Sequence, residues 1–219
     1  MNIIDIAIIL LIVMSGIIGF KKGVLKEVVS FLGTLIVFVI AFYLTGIVAE
    51  LFVRFLPVFD FGGLYVLNIV VYYIIAFVLI GAFLFALLNL ILKATGLLQK
   101  LIDLTIILTI PSKILGFAFG LVKGYIVIFV MLMILAIPLR DIDMFRNSTV
   151  RSTIMNESPI LTNAFSGISS SIEDIFTLLS TPREEDDNNA LLNRDIGNIL
   201  INNDVVSREL IADLNARRN

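Results

Sequence analysis

Residues 64 to 92 form one long apolar stretch with no Asp, Glu, Lys or Arg. About 20 such residues in a helix are enough to cross about 30 Å of hydrocarbon. Three further stretches are nearly as apolar: Ile3 to Phe20, with Asp5 near its start, Val28 to Ala49, and Ile114 to Leu139, the last interrupted only by Lys123. In lipid every backbone N–H and C=O must find a partner within the protein, and a helix satisfies them locally. With 59% hydrophobic residues and a mean hydropathy of +1.05, the chain far exceeds the roughly 45–50% apolar content of soluble domains. The pattern predicts an all-α, polytopic integral membrane protein with four transmembrane helices at about 3–20, 28–49, 64–92 and 114–139.

The remaining sequence divides accordingly. Residues 1–140 read as the membrane domain. Residues 141–180 read as an extramembrane segment, in which Leu161, Phe165, Ile168, Ile172, Ile175, Phe176 and Leu179 recur at helical spacing. Ser158-Pro159 resembles an N-cap followed by proline at the first helical position. The apolar face of this helix is expected to meet a partner or the membrane surface. Residues 181–219 open with Thr-Pro-Arg-Glu-Glu-Asp-Asp and are Asn-rich, which predicts a poorly ordered tail with at most a short helix near Val205 to Leu214. The stretch 101–112 is apolar, too short to cross, and contains Pro111, so a re-entrant or interfacial path is expected.

Charge fixes the expected orientation. All seven lysines precede residue 124, whereas eight of the nine arginines follow Pro138. Lys21, Lys22 and Lys26 lie between the first two spans, and Lys93, Lys100 and Lys113 between the last two. The positive-inside bias then places both loops in the cytoplasm and both termini outside. The first stretch lacks a basic leader and a small-residue cleavage pattern, and it carries Asp5, so it is expected to remain as a helix.

One local pattern occurs twice. Gly19-Phe20-Lys21-Lys22-Gly23 and Gly120-Leu121-Val122-Lys123-Gly124 both read Gly-x-x-Lys-Gly, with Gly16 and Gly116 just upstream. Small residues at this spacing let helices approach closely. The duplication also suggests two related two-helix halves, a design in which transporters place a site at the repeat interface. Lys123 lies either deep in the fourth span, where a charge marks function, or at a span end with its ammonium reaching the headgroups. Glu27, with Ser30 nearby, could join Lys22 and Lys123 in a polar cluster. Asp5 fits the start of a helix, whose N-terminus favours a carboxylate. Asn68 and Asn89 suit interhelical hydrogen bonds.

Several function classes are disfavoured. With no Cys and no His, thiol chemistry, disulfides and the commonest metal ligand are absent, and neither metal nor cofactor is implied. There is no nucleophile elbow, Ser-x-x-Lys pair, phosphate loop or dinucleotide fingerprint, so no catalytic residue is assigned and an enzyme is not expected. A net charge of −2 gives no basic face for nucleic acid.

Taken together, these blocks resemble the colicin V production protein (CvpA) family of bacterial inner-membrane proteins. The resemblance rests on Asp5 opening the first span, on the run from Gly19 through Lys22, Gly23, Glu27 and Ser30 to Phe31, and on Leu115 to Gly124 before the last span. It covers about residues 1 to 180. Val24 stands where the family often has phenylalanine, and Ser112-Lys113 where an acid-base pair usually precedes the second block. The resemblance implies a non-enzymatic accessory protein of the inner membrane connected with colicin V production or secretion and with envelope or biofilm physiology. Its expected partners are the lipid bilayer, other membrane proteins or further copies of itself. The alternative raised by the repeat and Lys123 is a conduit for a small solute or ion.

Overall fold

The computed structural model describes residues 2–95, 110–165, 167–181 and 189–218. Among these the chain is helical without strands. Four helices are long and apolar enough to span a bilayer: α1 (Ile3–Lys22), α2 (Val24–Phe55), α3 (Leu67–Ala94) and α4 (Ile110–Leu135). The protein is a multi-pass membrane protein.

The ends of these helices follow from local chemistry. The Asn2 side chain accepts from the Ile4 and Asp5 N–H groups, and Asp5 accepts from the Asn2 N–H, a reciprocal cap at the start of α1. Gly23 alone separates α1 from α2, at φ +77°, a conformation strained for any residue with a Cβ. Pro57 disfavours helical geometry at Leu56, which is extended and ends α2. The 32 residues of α2 span about 48 Å, well beyond the hydrocarbon thickness.

The helices pack as two antiparallel pairs, α1 with α4 and α2 with α3, joined through α2 and α4. Lys21, Lys22, Lys26, Lys93 and Lys113 fall near one end of this bundle. The opposite end is covered by the rest of the chain: α5 (Asp143–Arg146), α6 (Thr149–Asn156), α7 (Pro159–Ala164), α8 (Ile168–Ser180), α9 (Asn189–Asn202) and α10 (Arg208–Arg218). Phe145, Phe165, Ile175, Ile196, Leu200, Leu210 and Leu214 are buried in this cap and continue the apolar core of the bundle.

Three expectations need correction. Residues 189–218 do not form a poorly ordered tail. They fold as α9 and α10, because Ile196, Leu200, Val206, Leu210 and Leu214 supply a buried face, and because asparagines expected to favour disorder satisfy backbone groups. Asn193 accepts from the Val66 N–H (3.1 Å) and donates to the Gly63 carbonyl (2.7 Å). Residues 182–188 lie outside the described residues, as do 101–109 of the segment expected to be re-entrant.

The amphipathic helix, secondly, is two helices, broken near Gly167 at φ +83°. Its apolar face does not point outward, since Phe165 packs on Phe42 and Phe129 at ring separations of 5.6 and 6.0 Å and Ile172 is buried.

Thirdly, the two glycine-lysine blocks do not occupy corresponding places in two halves. Gly23 ends a helix, whereas Gly124 lies inside α4.

Candidate functional site

The two blocks meet each other. Ser112, Gly116, Gly120 and Gly124 follow one another at four-residue intervals and form one buried stripe on α4. Gly16, Gly19 and Gly23 face it from the antiparallel α1. A Cβ on Gly116 would stand 2.5 Å from the Gly19 carbonyl oxygen, and one on Gly120 2.5 Å from that of Ser15. At Gly19 a Cβ would overlap the Gly116 carbonyl, and at Gly124 it would lie 2.6 Å from the Ser15 Cβ. The two backbones are therefore in contact, an approach that only glycine permits. Ser112 completes the stripe by accepting the Val24 N–H at 3.2 Å, one of the orphan donors at the start of α2.

Beside this contact lies a charged cluster. Glu27 is in the first turn of α2 and its side chain is 0% exposed. It is ion-paired to Lys123, whose side chain is 13% exposed, and stands 3.7 Å from the ammonium of Lys22, which is 43% exposed. Lys123 also donates to the Ser30 Oγ at 3.2 Å. Phe31 of α2 and Phe119 of α4 also meet, with ring centroids 5.9 Å apart.

A buried carboxylate without a partner would be costly by several kcal/mol, and two ammonium groups offset that cost here. Lys123 is rooted at the level of Ser15, seven residues or about 10 Å along α1 from Lys22. Its stem therefore reaches toward the lysine-rich end to meet Glu27. Its ammonium thus ends in a buried ion pair within the bundle.

Asp5 stands apart, at the far end of α1. It is buried and accepts from the Ser148 hydroxyl (2.6 Å) and the Val150 N–H (3.0 Å), which ties the cap to the bundle. The structure thus gathers Gly19, Gly23, Gly116, Gly120 and Gly124 into one interface, with Lys22, Glu27, Ser30 and Lys123 beside it, and leaves Asp5 in a separate joint. Asn68 serves its own loop, bonding both the N–H and the carbonyl of Phe59. Asn89 donates to the Phe85 carbonyl within α3.

Sequence reasoning missed Ser112, Ser148 and Arg151. Ser112 was legible as the next small residue four before Gly116. Ser148 caps α6 by accepting the Arg151 N–H, a signal visible in Ser148 preceding a short polar helix. Arg151 had no sequence signal. It is buried, 2.5 Å from Glu173, with its guanidinium 3.7 Å from the Phe176 ring centre. Burial pushes its pKa below the ordinary arginine value, opposed by the neighbouring Glu173 carboxylate. Among the described residues no group of three or more acidic side chains could hold a metal ion.

The model of the family described as Colicin V production protein matches residues 4–159. That span takes in all four long helices, both glycine blocks and the Asp5–Ser148 joint, and stops at the start of α7. The chain matches no curated protein and no solved structure.

Proposed function

Since the chain belongs to the colicin V production protein family, we propose that it is a non-enzymatic accessory protein of the bacterial inner membrane that supports toxin production or secretion and envelope or biofilm physiology. The observation that carries this reading is the α1–α4 contact, in which backbone meets backbone with no room for a methyl group at Gly19, Gly116 or Gly120. A contact so close suits a fixed support better than a path for solute. The ammonium of Lys123 is engaged by Glu27 and Ser30, which fits the same view.

In this reading the lysine-rich end faces the cytoplasm, by the positive-inside rule, and the cap stands outside. The cap presents the apolar side chain of Ile160, 83% exposed, as a candidate contact for a membrane-protein partner or a second copy. A conduit is the second reading, favoured by one observation: Glu27 is a buried protonatable group bridged by two lysines.

The double variant Glu27→Gln/Lys123→Met separates the two. It removes both charges and leaves the glycine contact intact. In a strain lacking the native gene, an accessory role predicts that this variant restores toxin release and biofilm mass as the unmodified chain does. If the variant is present in the membrane at normal level and restores neither, while proteoliposome flux through the unmodified chain is measurable, the conduit replaces the accessory role. Failure of the unmodified chain itself to restore either phenotype would remove the accessory role directly.

A further inference from the structure

A cleft of about 420 Å³ opens between α2 and α3 at the lysine-rich end. Next to it α2 and α3 approach closely at Gly33 and Leu88, where a Cβ on the glycine would stand 2.8 Å from a Leu88 methyl carbon. One wall is polar, made by Lys22, Lys26 and Ser30, and the other is largely apolar, made by Phe85, Leu88 and Leu92.

The charge in this corner is unbalanced. Glu27 is the acidic member of the neighbouring cluster and is held by Lys123 and Lys22. Lys26 has no carboxylate within ion-pair distance among the described residues. Among the described residues three lysines against one glutamate leave two positive charges, and no described Asp or Glu lines the cleft.

A ligand matching both walls carries a negative phosphate at one end and hydrocarbon at the other. A free phosphate would leave Phe85, Leu88 and Leu92 unused, and a zwitterionic headgroup would bring its own cation against Lys26. Basic pockets between transmembrane helices hold anionic headgroups by this combination of charge and adjoining hydrocarbon. We propose that the cleft is a binding site for one anionic phospholipid, with its phosphodiester at Lys26, Lys22 and the Ser30 hydroxyl and an acyl chain along Leu88 and Leu92. The site adjoins the Glu27–Lys123 pair, sharing Lys22 and Ser30 with that cluster, and has Lys26 as its own cation; it does not depend on the accessory role.

The test uses the full chain, purified in detergent and reconstituted in nanodiscs containing phosphatidylcholine with a minor fraction of phosphatidylglycerol. Native mass spectrometry reads the retained lipid. One retained phosphatidylglycerol per chain is expected, with affinity falling roughly fivefold in Lys26→Gln and about 30-fold in Lys22→Gln/Lys26→Gln. Lys93→Gln, which removes a charge at the same end but outside the cleft, should retain the lipid.

Equal losses in Lys26→Gln and Lys93→Gln would show a diffuse surface effect and overturn the site. Undiminished retention in Lys26→Gln would do the same. Displacement of the lipid by millimolar inorganic phosphate would show that the acyl wall contributes nothing, and the lipid assignment would fall. Because Lys22 also touches Glu27, the single Lys26 variant, checked for an unchanged melting temperature, is the decisive arm.

Discussion

Glu27 and Lys123 are the pair whose removal one at a time should cost most. Lys123→Met leaves a fully buried carboxylate with only the partly exposed Lys22 nearby, and a loss of about 3 kcal/mol is expected, as for breaking other buried pairs. Glu27→Gln/Lys123→Met should recover most of that loss, since no uncompensated charge remains. Thermal unfolding in detergent measures both, and a double variant no better than the single one would show that the pair does more than cancel charge. Arg151 makes a parallel case in the cap. Arg151→Met keeps much of the stacking on Phe176 but orphans Glu173, so a loss of about 2–3 kcal/mol is expected, largely recovered by adding Glu173→Gln. Glu27, Lys22, Ser30 and Lys123 were legible in the sequence as a polar group because charges are scarce in apolar stretches. Arg151 was not, because an arginine in a polar segment carries no mark of burial until α8 covers it.

At the scale of the helix, the glycines divide by what stands opposite them. Gly120→Ala forces a methyl into the Ser15 carbonyl and should destabilise the protein by about 1–3 kcal/mol, the usual range for overpacking. Gly81, also mid-helix in α3, has nothing within 4 Å of its Cβ position. Gly81→Ala should be neutral or stabilising by up to about 1 kcal/mol through helix propensity. Melting curves of the two variants side by side check this, and equal effects would show that α1 and α4 are not in backbone contact. The existence of the long helices was readable from uncharged length, but their ends were not: α2 (Val24–Phe55) outruns the expected 28–49 at both ends, from just after Gly23 to just before Pro57. Nor was their pairing. Spacing reveals that a glycine stripe wants a close neighbour but does not say which helix supplies it. The duplicated block suggested two similar halves, whereas the two copies turned out to be complementary surfaces.

For the molecule as a whole, the cap joins the bundle at both chain ends. Asp5 holds Ser148 and Val150, and Arg217 donates to the carbonyls of Val53 and Leu56 at the end of α2. Tyr73 donates to the Val205 carbonyl at 2.8 Å. Truncation before α9 should therefore do more than remove a tail. It uncovers Val66, Tyr73 and the apolar side of α8, and a lowered melting temperature and proteolysis within α8 are expected. A truncated chain as stable as the full one would show that α9 and α10 are dispensable to the fold. The sequence concealed this because Asn-rich, acidic composition resembles disorder when the backbone groups it serves are far away in the chain. The α1–α4 contact has a further consequence, for biogenesis. The helix that α1 fits most closely emerges about 100 residues later, an interval of roughly 5–20 s at ordinary synthesis rates. During that interval the glycine face of α1 waits in lipid, held beside α2 by the single-residue turn at Gly23, so a mutation on that face should be felt by the insertion and quality-control machinery before the finished protein exists.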